Sequence, residues 1–141
     1  MKTKFLYLLI FTLGFTTSCN HDEDLPKIAE LDGVWDLVNI SGGFAGVNCD
    51  YPAGEITWIF ENDLLVVENN YTGDPTQICG GVLSSSSSDS YFVLESNGSL
   101  FLVLNNKEAG GITLSDNELI IDTNVSSVGS GADGFIYRLE R

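Results

Sequence analysis

The residues able to do chemistry are few. One histidine, His21, accompanies three cysteines, Cys19, Cys49 and Cys79, and twenty carboxylates in 141 residues. A single imidazole nearly excludes Ser-His and Cys-His nucleophile pairs and histidine-rich zinc sites. The cysteines show no C-x-x-C spacing, so thiol redox catalysis has no motif to rest on. Paired carboxylates can hydrolyse glycosides, but among twenty acids pairs arise by chance, and no enzyme activity is expected. Asp50, Asp74, Asp89 and Asp133 fall in or beside expected loops, where carboxylates suit a hard cation such as calcium. No D-x-D-x-D-G loop occurs, so no metal site, catalytic residue or cofactor is assigned. Six basic residues leave a net charge of −14, which argues against a nucleic-acid partner. Apolar residues at 43% and charged ones at 18% exclude a disordered chain.

The cysteines divide by position. Lys2 and Lys4 precede an apolar run of 11 residues, Phe5 to Phe15. A membrane-spanning helix needs about 20 residues, so the run reads as the core of a signal peptide. Thr16-Thr17-Ser18-Cys19 follows and resembles a bacterial lipobox, with Thr16 in place of the usual aliphatic residue, as in the looser lipoboxes of Bacteroidota. Residues 1–18 are then a lipoprotein signal peptide and Cys19 is the acylated (palmitate-bearing) N-terminus of the mature chain. Asn20-His21-Asp22-Glu23-Asp24 resembles the surface-export signal of such lipoproteins, within a lipidated acidic tether over 19–32. Cleavage leaves four basic residues against twenty acidic ones, a charge of −16. Attachment to the outer membrane must therefore come from acyl chains rather than a basic patch. The expected address is the bacterial cell envelope, with surface exposure an option.

The remaining chain, 33–141, alternates apolar and polar residues in short runs bounded by turn residues, the pattern of half-buried strands. Folding Glu55–Glu61 onto Leu64–Asn69 about Asn62-Asp63 pairs Phe60 with Leu65, Trp58 with Val67 and Ile56 with Asn69. One face is then almost wholly apolar; Ile59 and Val66 are apolar exceptions on the other. Asn97-Gly98, a strong hairpin signal, pairs Leu94 with Phe101 and Phe92 with Val103. The opposite face holds Val93, Leu100, Leu102 and Leu104, so the inward face of 91–104 stays open. Asp116-Asn117 pairs Leu114 with Leu119 and Ile112 with Ile121. Strands at Gly33–Ser41 and Gly134–Glu140 complete a count of eight, and Leu25–Leu31 can form one helical turn.

Alternate connections differ in length. Two-residue turns follow strands two, four and six, whereas 42–53, 71–87 and 124–133 are long, with a short link near 106–109. Ser84 to Ser88 is read as a flexible loop. The fold class expected is all-β, an eight-stranded antiparallel up-and-down β-barrel, sealed at one end by tight turns and carrying long loops at the other. Cys49 and Cys79 lie in two long connections at the same end. Once Cys19 is assigned to lipid they remain as a pair, and export permits a disulfide between them.

Gly33-Val34-Trp35 opens the first strand as a G-x-W. With Leu31-Asp32-Gly33-Val34-Trp35-Asp36-Leu37, Gly54-Glu55-Ile56-Thr57-Trp58-Ile59-Phe60 and Gly134-Phe135-Ile136-Tyr137-Arg138-Leu139, it resembles the lipocalin-like domain of Bacteroidota lipoproteins, a calycin-type barrel. The resemblance spans about residues 30 to 141. It implies a basic residue packed over the tryptophan, and Arg141, on the face of Tyr137 and Leu139, is the candidate partner of Trp35. Arg138 faces the other way.

Two functions follow. Trp58, Phe60 and Tyr137 inside the barrel, with Phe44, Tyr51 and Tyr71 in loops at its mouth, suit a small hydrophobic ligand. Alternatively those side chains fill the barrel, and the domain is a ligand-free structural or protein-interaction module. An outer face bearing Leu100, Leu102 and Leu104 would then meet a partner protein.

Overall fold

The computed structural model describes residues 30–74, 79 and 85–141. The signal peptide, Cys19, His21, the acidic cluster and most of Leu25–Leu31 lie outside the described residues. Eleven strands follow in order: β1 (Gly33–Gly42), β2 (Val47–Asp50), β3 (Ile56–Glu61), β4 (Leu64–Asn69), β5 (Ser87–Ser96), β6 (Ser99–Leu104), β7 (Lys107–Leu114), β8 (Glu118–Asp122), β9 (Val125–Ser126), β10 (Gly129–Ser130) and β11 (Phe135–Glu140). Eight of them, β1, β3 to β8 and β11, pair antiparallel in sequence order, and β11 returns to β1. The sheet therefore closes into a barrel.

Local chemistry sets the register. Asn62 and Asp63, Asn97 and Gly98, and Asn105 and Asn106 each place two consecutive residues at positive φ. That is the backbone of tight hairpin turns, whose twist matches that of the strands they join. The pairings Phe60–Leu65, Trp58–Val67, Leu94–Phe101, Phe92–Val103, Leu114–Leu119 and Ile112–Ile121 all form as the residue pattern requires. Asn105 does more than turn: its Oδ1 accepts from the Ser90 N–H and hydroxyl at 3.1 Å each, tying the β6–β7 turn to β5.

Four expectations need correcting. The connection 42–53 is not one long loop. β1 runs on to Gly42, turns through 43–46, and pairs with β2. The polyserine is partly strand, since Ser87 and Ser88 pair with Val67 and Val66. The short link is the Asn105-Asn106 turn, and 107–109 already belong to β7. The segment 124–133 carries the β9–β10 hairpin.

The inward face of β5 and β6 is now fixed. Tyr91, Val93, Leu102 and Leu104 join the core, with Leu100 packed against it. Leu100, Leu102 and Leu104 are therefore not an outer partner surface. Phe101 and Val103 face outward yet are only 4% and 5% exposed. Val125 of β9 lies over β7 nearby: a Cβ on Gly111 would meet Val125 at 3.2 Å and Phe101 at 3.9 Å. The Ser127 N–H and hydroxyl each donate to the Glu108 carboxylate at 2.6 Å and hold this arm down.

Candidate functional site

The barrel interior is organised around aromatic rings supplied by different strands. β3 turns Trp58 and Phe60 inward, their centroids 6.2 Å apart. Tyr137 of β11 stands 6.0 Å from Trp58, and Phe135 lies 6.4 Å beyond Tyr137. Toward the other end, Tyr91 meets Phe60 edge-on at 5.0 Å. The edge-on contacts, Phe60–Tyr91 and Phe135–Tyr137, each add about 0.5–1.5 kcal/mol beyond burial. Aliphatic side chains complete the filling: Leu37, Ile40, Ile56, Leu65, Leu102, Leu119, Ile121 and Leu139 are all fully buried.

At the mouth, Cys49 of β2 forms a disulfide with Cys79. The Cys79 N–H donates to the Tyr51 hydroxyl at 2.9 Å, and Tyr51 meets Tyr71 edge-on at 5.6 Å. Cys79, tied to Cys49 by the disulfide, is thus held against Tyr51, which is 5% exposed. Of the six residues expected to contact a ligand, Trp58, Phe60, Tyr137, Tyr51 and Tyr71 pack in or against the core. Phe44 does not: it is 92% exposed on the β1–β2 turn.

The opposite end is closed by the chain termini of the barrel. The Trp35 Nε1–H donates to the Leu31 carbonyl at 2.9 Å, and Leu31 is itself buried. The Arg141 guanidinium lies 4.2 Å from the centre of the Trp35 ring. It is held there by its Nε–H, which donates to the Asp116 carbonyl at 2.8 Å. Arg138 points outward to Glu118 and Glu140. The residue pattern did not single out Tyr91, whose hydroxyl donates to Asp32 at 2.6 Å. Its signal was its place two residues before Val93, which became usable only once the inward face of β5 was known.

Among the described residues two buried polar atoms stand without a hydrogen-bond partner, the Trp58 Nε1–H and Glu55 Oε2. An unpaired buried donor costs about 1–3 kcal/mol. Among the described residues no group of three or more His, Cys, Asp or Glu is placed to hold a metal ion. Asp50 instead accepts from Asn39 at 2.7 Å, and Asp89 accepts from Asn105.

Burial dominates the titration of the inner tyrosines. It pushes Tyr137 up to about 12, with Tyr51 adding to the shift. It raises Tyr91 as well, reinforced by the hydrogen bond to Asp32. A phenol with a folded pKa above its unfolded value near 10 stabilises the fold fully below that value. The contribution is lost as pH rises through the folded pKa. Stability should hold to about pH 10 and fall by about 2–3 kcal/mol between pH 10 and 12 from Tyr137 alone. Urea unfolding at stepped alkaline pH, followed by tyrosinate absorbance, checks this; Tyr137→Phe should remove that part of the fall and leave the part due to Tyr91.

No family model matches this chain, and no curated protein or solved structure matches it.

Proposed function

We propose that this chain is an outer-membrane lipoprotein whose lipocalin-like barrel is filled by its own side chains and serves as a structural or protein-interaction module of the cell envelope, not as a carrier. The observation behind this reading is the burial of the inner face. A carrier leaves room beside its lining residues, whereas Trp58, Phe60, Ile56, Leu102 and Ile121 are at most 1% exposed. The Tyr51–Tyr71 pair and the disulfide lie across the end where a ligand would enter. The lipocalin-like assignment is supported by the G-x-W placement of Trp35 under Arg141 and by the sequential eight-stranded closure.

Native mass spectrometry of the protein isolated from its own envelope tests the reading. The expected mass is that of the acylated polypeptide with nothing retained. A small molecule that co-purifies and is released on unfolding would make the barrel a carrier instead. The anchor is tested separately: Cys19→Ser should leave the protein unacylated and lost from the washed membrane fraction. Retention in that fraction at the mature size would refute lipidation at Cys19.

A further inference from the structure

The outer face of β1, β3 and β4 departs from the usual alternation of buried apolar and exposed polar residues. Val34, Ile59 and Val66 are successive cross-strand partners on that face and form one row. Val34 is 55% exposed. Single exposed apolar residues need no explanation, but Val34 continues across the half-buried Ile59 and Val66 as one apolar row. Leu64, two residues from Val66 along β4 and 45% exposed, widens the row.

Acids border the row on both sides. Asp36, Thr57 and Glu68 are cross-strand partners one step along the strands, and the Thr57 hydroxyl donates to Asp36 at 3.4 Å. Glu61, opposite Leu64, stands on the other side. One step is two residues, or roughly 7 Å along a strand. No lysine or arginine occurs in β1, β3, β4, β5 or β6. A second copy of this face would bring like charges together, and an anionic membrane would be repelled by the same acids.

We infer that this row is the docking surface of the module, and that its partner is an amphipathic protein segment with an apolar stripe flanked on both sides by Lys or Arg. The inference rests on the interaction-module reading and adds the chemistry of the partner. Apolar contact over Val34, Ile59 and Val66 supplies the attraction, and the flanking acids fix orientation and discriminate against acidic partners.

A Leu–Lys amphipathic peptide, labelled for fluorescence anisotropy, is the probe, with a peptide of equal charge whose leucines are replaced by serine as control. The Leu–Lys peptide should bind at least tenfold more tightly than the control. The pair Ile59→Thr with Val66→Thr should weaken it at least tenfold while leaving the thermal midpoint in place, because threonine suits the solvent face of a strand. Val34→Thr provides a second, independent variant at a more exposed site. Equal binding of the two peptides, or binding indifferent to these substitutions, overturns the inference, since bulk charge alone would then explain it. So does a concentration-dependent dimer, or binding to phosphatidylcholine vesicles, that the same substitutions abolish. Those outcomes leave the filled barrel standing, whereas a ligand retained in native mass spectrometry refutes the filled barrel without touching this surface.

Discussion

Trp35→Ala should destabilise the domain by about 4–5 kcal/mol, in the upper part of the range for emptying a buried aromatic site. Trp58→Ala should cost less, about 3 kcal/mol, although both side chains are fully buried. The difference lies in what each indole does. Trp35 donates to Leu31 and lies under Arg141, and a cation–π contact contributes about 0.5–2 kcal/mol. Trp58 leaves its N–H unpaired, so its removal also relieves a desolvation cost of about 1–3 kcal/mol. The gentler pair, Trp35→Phe and Trp58→Phe, removes similar volume from each site and isolates the polar contribution. Urea unfolding midpoints at constant m-value should rank Trp58→Phe as the milder change. The reverse order would mean that the Trp58 N–H has a partner in solution.

Replacing Cys49 and Cys79 together by serine should cost about 3–4 kcal/mol, the loop-closure value for a sequence separation of 30. Secondary structure should survive, because the barrel strands pair without the bridge. The Cys79 N–H to Tyr51 bond at 2.9 Å should loosen, and Tyr51 and Tyr71 should become more exposed to tyrosine-modifying reagents. Alkylation under denaturing conditions with intact-mass readout checks the starting state: two thiols modified without reductant would rule the bridge out. A loss below about 1 kcal/mol would mean that the bridge adds little to the closure of the barrel.

Much of this architecture was legible because the decisive signals were local. Asn97-Gly98 and Asn62-Asp63 specify their turns by tolerating positive φ. Each turn then fixes its register, since a slip of one residue would put Trp58 and Phe60 in water. The family resemblance implies a basic residue over Trp35, and the even strand count, which runs the last strand antiparallel to the first, selects Arg141. The disulfide follows from assigning Cys19 to lipid and from the connections after the first and third expected strands emerging at the same end.

The segments left open or read otherwise depend on contacts that no local pattern carries. Both faces of 91–104 are apolar, and the choice between them is made elsewhere. Phe101 and Val103 need no place in the interior because they lie shielded on the outside, with Val125 over the adjoining Gly111. Ser87 and Ser88 have little preference for strand, and β2 is preceded by glycine-rich turn sequence. They extend only because Val66, Val67 and the far half of β1 offer them backbone partners. Among the mouth residues, Phe44 shares with Tyr51 and Tyr71 only a place in the connections at the long-loop end. Tyr51 and Tyr71 are drawn inward by the disulfide and by each other. Phe44 has no such tie on a turn only four residues long.

The pairing of Asp36 with Glu140 makes the barrel a ring with one seam, and the seam joins the two ends of the domain. Nearly the whole chain must be gathered before it closes, which places this fold among the slower, topology-limited ones. An open sheet that loses an end strand still has two edges. A ring that loses β11 gains two new ones, on β1 and β8, each with unpaired backbone groups ready to template another chain. The last six strand residues, Phe135 to Glu140, thus protect against aggregation out of proportion to the area they bury. An incompletely synthesised or clipped domain would be hazardous to its neighbours before it was merely unstable.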